Sequence, residues 1–398
     1  MASSKENSKK SLEITNDLNP SETLSDKRNN KKFTWLNFNV IATVMVTKAL
    51  ILIFAVQSYQ IMTDRPITDA NWLLNMYSNW DAGSYLKIAE FGYESSGEGK
   101  FRLVFFPLYP ALIWLFSIIF KNYVVSALFV SGIASVALGL SFRELIRLDY
   151  SERTAQLAVL FMFIFPTSYF LHIPYTESLF LALAISCFLA ARKRSWILVG
   201  ILGALACLTR INGLILIPAL IFEVWEEYRE TRKVNRKWFF LLLIPAGFGG
   251  YLALNYFVSG NPTMFLTYQR ENFGRYLRVP WEAIWGKFGS INNPKPTDSQ
   301  MVGMQELIFL AVGFVSIIAG WRYLRNSYRV WMTLNWLLFV STSYVLSVPR
   351  YTLIMFPLFI LMAQAARQKW EIKILFIFWS ILYLSIFLTQ FIRGWWAF

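Results

Sequence analysis

The sequence predicts an all-α polytopic membrane protein, a bundle of about eleven transmembrane helices, on three observations. Composition is the first. Of 398 residues, 56% are hydrophobic and 18% aromatic, and only 16% carry charge, whereas an ordinary globular domain carries about 25%. Water cannot be the solvent for that much apolar surface. Run length is the second: apolar stretches extend for about 14–26 residues without polar alternation, which suits helical spans and not barrel strands. Lipid offers backbone N–H and C=O groups no partner, so each span must satisfy its own. Charge placement is the third. A net charge of +14 could suit nucleic acid, but the Lys and Arg residues fall in short clusters between apolar runs, the positive-inside pattern of cytoplasmic loops. The expected partner is the lipid bilayer, with no nucleic acid.

The elements follow in order. Residues 1–34 are rich in Ser, Asn, Lys and Glu and read as a disordered cytoplasmic tail, ending in Lys27, Arg28, Lys31 and Lys32. The rest, 35–398, is the transmembrane domain. Its first span covers 35–61, an apolar run too long for a signal-peptide core. The loop 62–105 holds six acidic residues (Asp64, Asp69, Asp81, Glu90, Glu94, Glu98) against four basic ones, which places it outside. Within it Trp72, Leu73, Met76, Tyr77 and Trp80 keep a helical spacing and predict a juxtamembrane helix in the interface, leading to Asp81. Residues 105–141 read as two apolar segments where the flanking charges allow one net crossing. The first, 105–120, is short and broken by Pro107 and Pro110, so it is expected to be re-entrant or tilted at the outer face.

Further spans are expected near 154–172, 175–191, 196–209, 213–225, 238–258, 303–321, 330–346, 352–366 and 374–392. They alternate consistently with cytoplasmic basic clusters at 192–194, 229–237, Arg322/Arg325/Arg329 and Arg367/Lys369/Lys373. A second large outer loop covers 259–302. The C-terminus, 393–398, lies outside with its tryptophans at the interface, giving a multi-pass plasma-membrane protein whose N-terminus is cytoplasmic. Breaks at 172–177, 210–213 and 348–351 all fall on the outer side. Asp81, Glu177, Arg210 and Arg350 therefore converge on one membrane face.

Asp81 follows Trp80 at the end of the interfacial helix, where a carboxylate could take a proton from a hydroxyl. It could equally cap a helix over 82–91 closed by Gly92, since Asp leads the N-cap ranking. Arg210 and Arg350 sit at broken helices. A membrane-depth arginine is costly and needs a partner, and its planar fork suits phosphate; the bland reading is snorkelling to headgroups. Glu177 opens an apolar span after Pro174-Tyr175-Thr176 and could pair with an arginine or complement the helix dipole. Lys48, midway along the first span, calls for a carboxylate or phosphate partner; the alternative is that it only locks helix packing. His172, the only histidine, reads as a helix-end residue at the interface, and Arg270, Arg275 and Arg278 as headgroup contacts. There is no P-loop, no Gly-rich dinucleotide turn and no Asp-x-Asp pair. The longest loop, 62–105, is shorter than a nucleotide-binding domain of roughly 100 residues. The substrate is therefore small or comes from the membrane.

These residues resemble a family. Lys48-Ala-Leu, then Trp80-Asp81-Ala82 with Ile88-Ala89-Glu90-Phe91-Gly92-Tyr93, then Phe105-Phe106-Pro107-Leu108-Tyr109-Pro110, are similar to the PIG-V-type mannosyltransferases. The likeness continues through 174–180 and through Leu208-Thr209-Arg210-Ile211-Asn212-Gly213, and ends in Pro349-Arg350-Tyr351. It implies a GT-C-like bundle and an inverting, metal-independent transfer of a hexose, typically mannose. The donor would be a polyprenyl-phosphate sugar, used on the outer face with no further cofactor, and the acceptor a glycan, lipid or protein. Carried over by position, Asp81 matches the family's loop-one acid and would be the base, Glu177 matches the acid of the second motif and Arg210 the arginine of the third. With Glu177 and Arg210, the residues Arg350, Lys48, Trp80, Tyr175 and Asn212 complete the expected substrate-binding set. The chain departs from the family at Lys48, commonly Arg there, and at Thr176-Glu177, commonly Ser-Glu. It has no Asn-x-Ser/Thr sequon, which fits a prokaryotic relative. The rival class is a polyprenyl-linked glycan or lipid transporter, which also uses broken helices and intramembrane charge. A transporter should show an internal repeat and polar residues along both halves of a pathway. No repeat is visible, and the candidate residues crowd one face.

Overall fold

The computed structural model describes residues 37–64, 66–67 and 76–398. The tail expected over 1–34 and residues 72–75 of the expected interfacial helix lie outside these. Every regular element among the described residues is helical, apart from one isolated bridge between Leu277 and Thr342. Five helical stretches among the described residues are long and apolar enough to cross a membrane: Phe38–Thr63, Tyr123–Arg147, Arg236–Ser259, Pro296–Tyr323 and Trp370–Ile392. The other apolar runs also fold as helices, but shorter ones, so the expected count of about eleven rests on segments cut by corners.

Helix α1 (Phe38–Thr63) leads to α2 (Asp81–Phe91), and the expected helix over 72–80 is absent from its described part. Met76 and Tyr77 form a turn and are buried in the main core. Trp80, at φ 57°, makes a corner directly before α2. Next, Glu98–Val104 and α3 (Leu108–Phe120) meet at a bend of 111° around Pro107, a geometry shared by a broken span and a re-entrant loop. α3 then packs back along α4 (Tyr123–Arg147), whose N-terminus Asn122 caps by accepting from the Val124 and Val125 N–H groups. Ser151 caps α5 (Glu152–Ile164) in the same way.

α6 (Glu177–Arg192) runs through the middle against α4 and α7 (Trp196–Cys207). Beyond it come α8 (Leu216–Thr231) and α9 (Leu243–Ser259). α7 and α9 approach through small residues: a Cβ on Gly247 would collide with the Ala204 carbonyl. Close backbone contact of this kind supplies the dispersion that binds helices in lipid, where no hydrophobic effect separates them from their solvent. The 259–302 segment carries α10 (Met264–Phe273) and α11 (Pro280–Phe288). The chain closes with α12 (Gln305–Tyr323), α13 (Asn326–Val340), the five-residue α14 (Val348–Thr352), α15 (Pro357–Gln368) and α16 (Trp370–Ile392).

The bundle has two charged ends. At one, Arg192 grips Asp149 with two bonds of 2.6 and 2.8 Å, and Arg325 bridges Glu223 and Glu226 at 3.1 and 3.0 Å. The other end holds the candidate site. There Ala397 and Phe398 are buried, the Ala397 carbonyl accepts from Tyr169, and Trp395 stays exposed.

Candidate active site

Three corners of the chain build the site, and each exists for a local reason. The first is the start of α2. Asp81 is the opening residue of that helix and not its cap; Trp80 holds the cap position and no side chain caps the turn. Gly92 does close α2, as expected, with its N–H on the Ile88 carbonyl. The second corner joins α7 to α8. Gly213 is obligatory there because a Cβ would stand 2.6 Å from the Cys207 nitrogen, which lets 210–213 turn tightly and throws Arg210 inward. The third is the corner between α13 and α15 that carries α14. Ser347, at φ 69°, opens α14 without capping it. Glu306 of α12 does that work from outside: its two oxygens accept the Ser347 and Val348 N–H groups at 2.7 Å each.

The corners bring Asp81, Glu177, Arg210 and Arg350 into direct contact. Arg350 donates from Nη1 to Asp81 Oδ2 at 2.8 Å and from Nε to Glu177 Oε1 at 2.5 Å. Arg210 Nη1 donates to the same Glu177 oxygen at 2.5 Å and to Thr176 Oγ1 at 2.9 Å. Glu177 is thus both the first-turn acid of α6 and the anion shared by two arginines. Tyr175 lies under the Arg350 guanidinium, 4.6 Å from ring centroid to Cζ, with Phe170 at 4.8 Å. The Tyr175 hydroxyl donates to the Asn79 carbonyl just before Asp81. Exposure is graded. The Glu177 side chain has none and Arg350 has 6%, whereas Arg210 keeps 12% and Asp81 34%. Asp81 is therefore the member of the cluster that an incoming molecule meets first. Glu177 Oε2 is buried with no hydrogen-bond partner, which leaves acceptor capacity unused.

One participant was not expected. Arg275, read as a headgroup contact, reaches into the cluster and donates to the Tyr351 hydroxyl at 3.1 Å. It is carried there by backbone pairing: Arg278 N–H on the Ser341 carbonyl, Ser343 N–H on the Tyr276 carbonyl, and the Leu277–Thr342 bridge. Arg210 lies over the face of the Tyr351 ring at 5.6 Å. Burial works to raise the pKa of the Tyr351 hydroxyl, but the charges of Arg275, Arg350 and Arg210 outweigh it and hold the group below its ordinary value. Of the three, only Arg275 bonds the hydroxyl; Arg210 and Arg350 are already paired with Glu177 and Asp81, so Arg275 is the cation left without an acid partner among the described residues.

The remaining expected residues lie further out. Trp80 is half exposed, donates to the Trp395 carbonyl at 3.3 Å and meets Trp396 edge-on. Asn212 ties the second corner to α13 by donating to Asn335 at 2.8 Å. Lys48 has no carboxylate partner among the described residues; its Nζ approaches the Leu128 carbonyl at 3.4 Å. His172 is buried rather than interfacial, 3% exposed, with both ring nitrogens unpartnered. Among the described residues no three His, Cys, Asp or Glu side chains gather in a way that could hold a metal ion.

Comparison with known proteins adds a sequence match. Residues 106–248 match the family model described as dolichyl-phosphate-mannose-protein mannosyltransferase. That stretch contains Glu177 and Arg210 and stops short of Asp81, Arg275 and Arg350. No curated protein sequence matches. Among solved structures, the crystal structure of ArnT from Cupriavidus metallidurans bound to undecaprenyl phosphate aligns at 14% identity and TM-score 0.49, over 82% of this chain and 60% of that one. The oligosaccharyltransferase of Archaeoglobus fulgidus in the apo form aligns at 10% identity and TM-score 0.47, over 89% of this chain and 56% of that one. Archaeal AglB from the same organism, in complex with an inhibitory peptide and a dolichol-phosphate, gives the same values. The chain therefore spans three fifths or less of the length of these proteins.

Proposed function

We propose that this chain is a GT-C-type glycosyltransferase that moves a hexose, in our reading mannose, from a polyprenyl-phosphate donor to an acceptor hydroxyl on the extracytoplasmic face. The observation that carries the reading is the contact of an accessible carboxylate, Asp81, with a buried arginine, Arg350, beside two further arginines around Tyr351. The family match over 106–248 supports the same chemistry.

In this mechanism Asp81 takes the proton of the acceptor hydroxyl as that oxygen forms its bond to the anomeric carbon. The bond from that carbon to the phosphate oxygen breaks on the opposite side, so the configuration inverts. The lipid phosphate departs as an anion, and guanidinium forks placed where that charge develops stabilise the transition state. A phosphate is a stable leaving group, so protonation by a second residue is not required. Arg350 and Arg210 are held apart and aimed by their common Glu177 oxygen, while Tyr175 supports the Arg350 plane from below. The donor enters from the bilayer, which accounts for a site built where helices are cut rather than in a soluble domain. The relative is prokaryotic in this reading, and the acceptor is a glycan, lipid or protein.

The test is transfer of radiolabelled mannose by membranes supplied with polyprenyl-phosphate-mannose or, separately, with a nucleotide-linked mannose. Transfer from the lipid-linked donor alone is expected. Arg210→Ala should lower it and Arg210→Lys should restore charge without the fork. Full turnover in both variants would remove the phosphate-binding role, and no transfer from either donor would return the transporter reading.

A further inference from the structure

Helix α11 has its polarity inside out for a helix in water. Trp281, Trp285 and Phe288 fall at i, i+4 and i+7 on one stripe and are 69%, 79% and 49% exposed. Lys287, its basic residue, is turned inward and only 4% exposed, within electrostatic reach of the buried Glu306. Ala283 and the partly buried Ile284 fill the rest of the inner face. A helix solvated by water would bury the two tryptophans and expose the lysine, because fully burying a large side chain gains about 1.5–3 kcal/mol.

Its position is also set. The turn after α11 packs on the start of the Pro296–Tyr323 span: a Cβ on Gly303 would stand 2.9 Å from the Ser290 carbonyl, and Ser299 Oγ donates to the Ile291 carbonyl. α11 also packs against α13, whose neighbouring residues pair with 276–278. The helix therefore sits where two membrane helices end. Other exposed apolar groups stand at span ends nearby in the chain, Phe257 closing α9 and Met304 preceding α12.

We propose that α11 is a monotopic interfacial helix, its Trp281–Trp285–Phe288 stripe inserted at the boundary of headgroups and acyl chains. Tryptophan prefers that depth because its ring is apolar and its N–H is polar. Glu282, beside the stripe and paired with Arg278 at 2.6 Å, faces the headgroups and water. The 259–302 segment is in this account bound to the bilayer surface. The assignment stands on exposure and packing alone, independently of the catalytic reading.

Nitroxide labels on Trp281→Cys, Trp285→Cys, Phe288→Cys and Glu282→Cys, in protein reconstituted in phosphatidylglycerol and phosphatidylethanolamine vesicles, test it. Cys187 and Cys207 are buried. Labels at 281, 285 and 288 should collide preferentially with oxygen, and the label at 282 with an aqueous nickel chelate. Preference for the chelate at all four positions would overturn the proposal. Spin–spin broadening at the stripe that vanishes on dilution with unlabelled protein would overturn it in favour of a second copy. A label-free check is quenching of tryptophan emission by lipid brominated just below the headgroup. The Trp281→Phe/Trp285→Phe variant should lose part of that quench, and an unchanged quench would contradict insertion.

Discussion

The two charged ends of the bundle use the same residue types and spend them differently. At the Arg192 end, the acids pair off with arginines, although the Tyr328 hydroxyl and Arg329 Nε stay unpartnered. Asp149 receives both terminal nitrogens of Arg192, and Glu223 takes two bonds from Arg325 and one from Ser327. Arg143 is clamped by Glu152 at 2.7 and 2.8 Å and paired with Glu144. At the Arg350 end, valences are left open. Glu177 Oε2 has no partner, Asp81 gives one oxygen to Arg350 while a third of its side chain stays accessible, and Arg275 meets a hydroxyl instead of an acid. A cluster that only fastens helices gains by closing every bond, since a buried unpaired polar group costs about 1–3 kcal/mol. Keeping such groups open makes sense where a substrate completes them.

That contrast can be broken by substitution. The largest effect should come from Glu177→Gln, which removes the anion shared by two buried guanidinium groups and leaves Arg350 only Asp81. Removing one partner of a buried pair costs about 3–5 kcal/mol, and donor transfer should vanish with it; calorimetric unfolding and the mannose assay read the two losses. Arg275→Ala should lower transfer about 100-fold, the scale for losing one donor to a developing oxyanion, with an unchanged melting temperature. A normal rate in that variant would put Arg275 back at the lipid headgroups. Glu306→Gln replaces one of two acceptors at the α14 N-terminus, about 1.4 kcal/mol or tenfold in transfer. Its effect should disappear in an Arg350→Ala background if Glu306 acts by placing Arg350. Glu223→Gln, at the Arg192 end, should cost stability and leave transfer per folded molecule within about twofold, since the variant is distant from the chemistry. Arg194→Ala removes an exposed pair with Glu230 and should change neither measurement, as exposed pairs contribute little.

Much of this was legible in the chain. Apolar runs placed the helices, because lipid forces each run to close its own backbone bonds. α6 opens at Glu177 and α16 ends at Ile392, close to the expected bounds, whereas the helix of the 154–172 run stops at Ile164 and that of the 352–366 run starts at Pro357. Asp81, Glu177, Arg210 and Arg350 were legible as charges at broken helices, whose cost in a membrane is itself the signal. Arg275 was not. Its place depends on backbone pairing between 276–278 and 341–343, and such pairing leaves no side-chain pattern by which to separate it from Arg270 and Arg278. Glu306 was not singled out either: an acid at the head of an apolar span is a signal, but its partners are N–H groups that any residue supplies. His172 and the 76–80 turn went the other way. An interface and a helix were expected there, and tertiary packing instead buried His172, Met76 and Tyr77 and left Trp80 half exposed.

The central claim is that open valences at one end do chemistry while closed ones at the other hold the bundle. Asp81→Asn and Asp149→Asn, measured side by side for transfer per folded molecule, test it most directly. Each change removes one charge and keeps the shape. Asp81→Asn should cost about 1,000-fold, within the range for losing a general base, and Asp149→Asn less than about twofold. Equal losses at the two ends, or full activity in Asp81→Asn, would contradict the account.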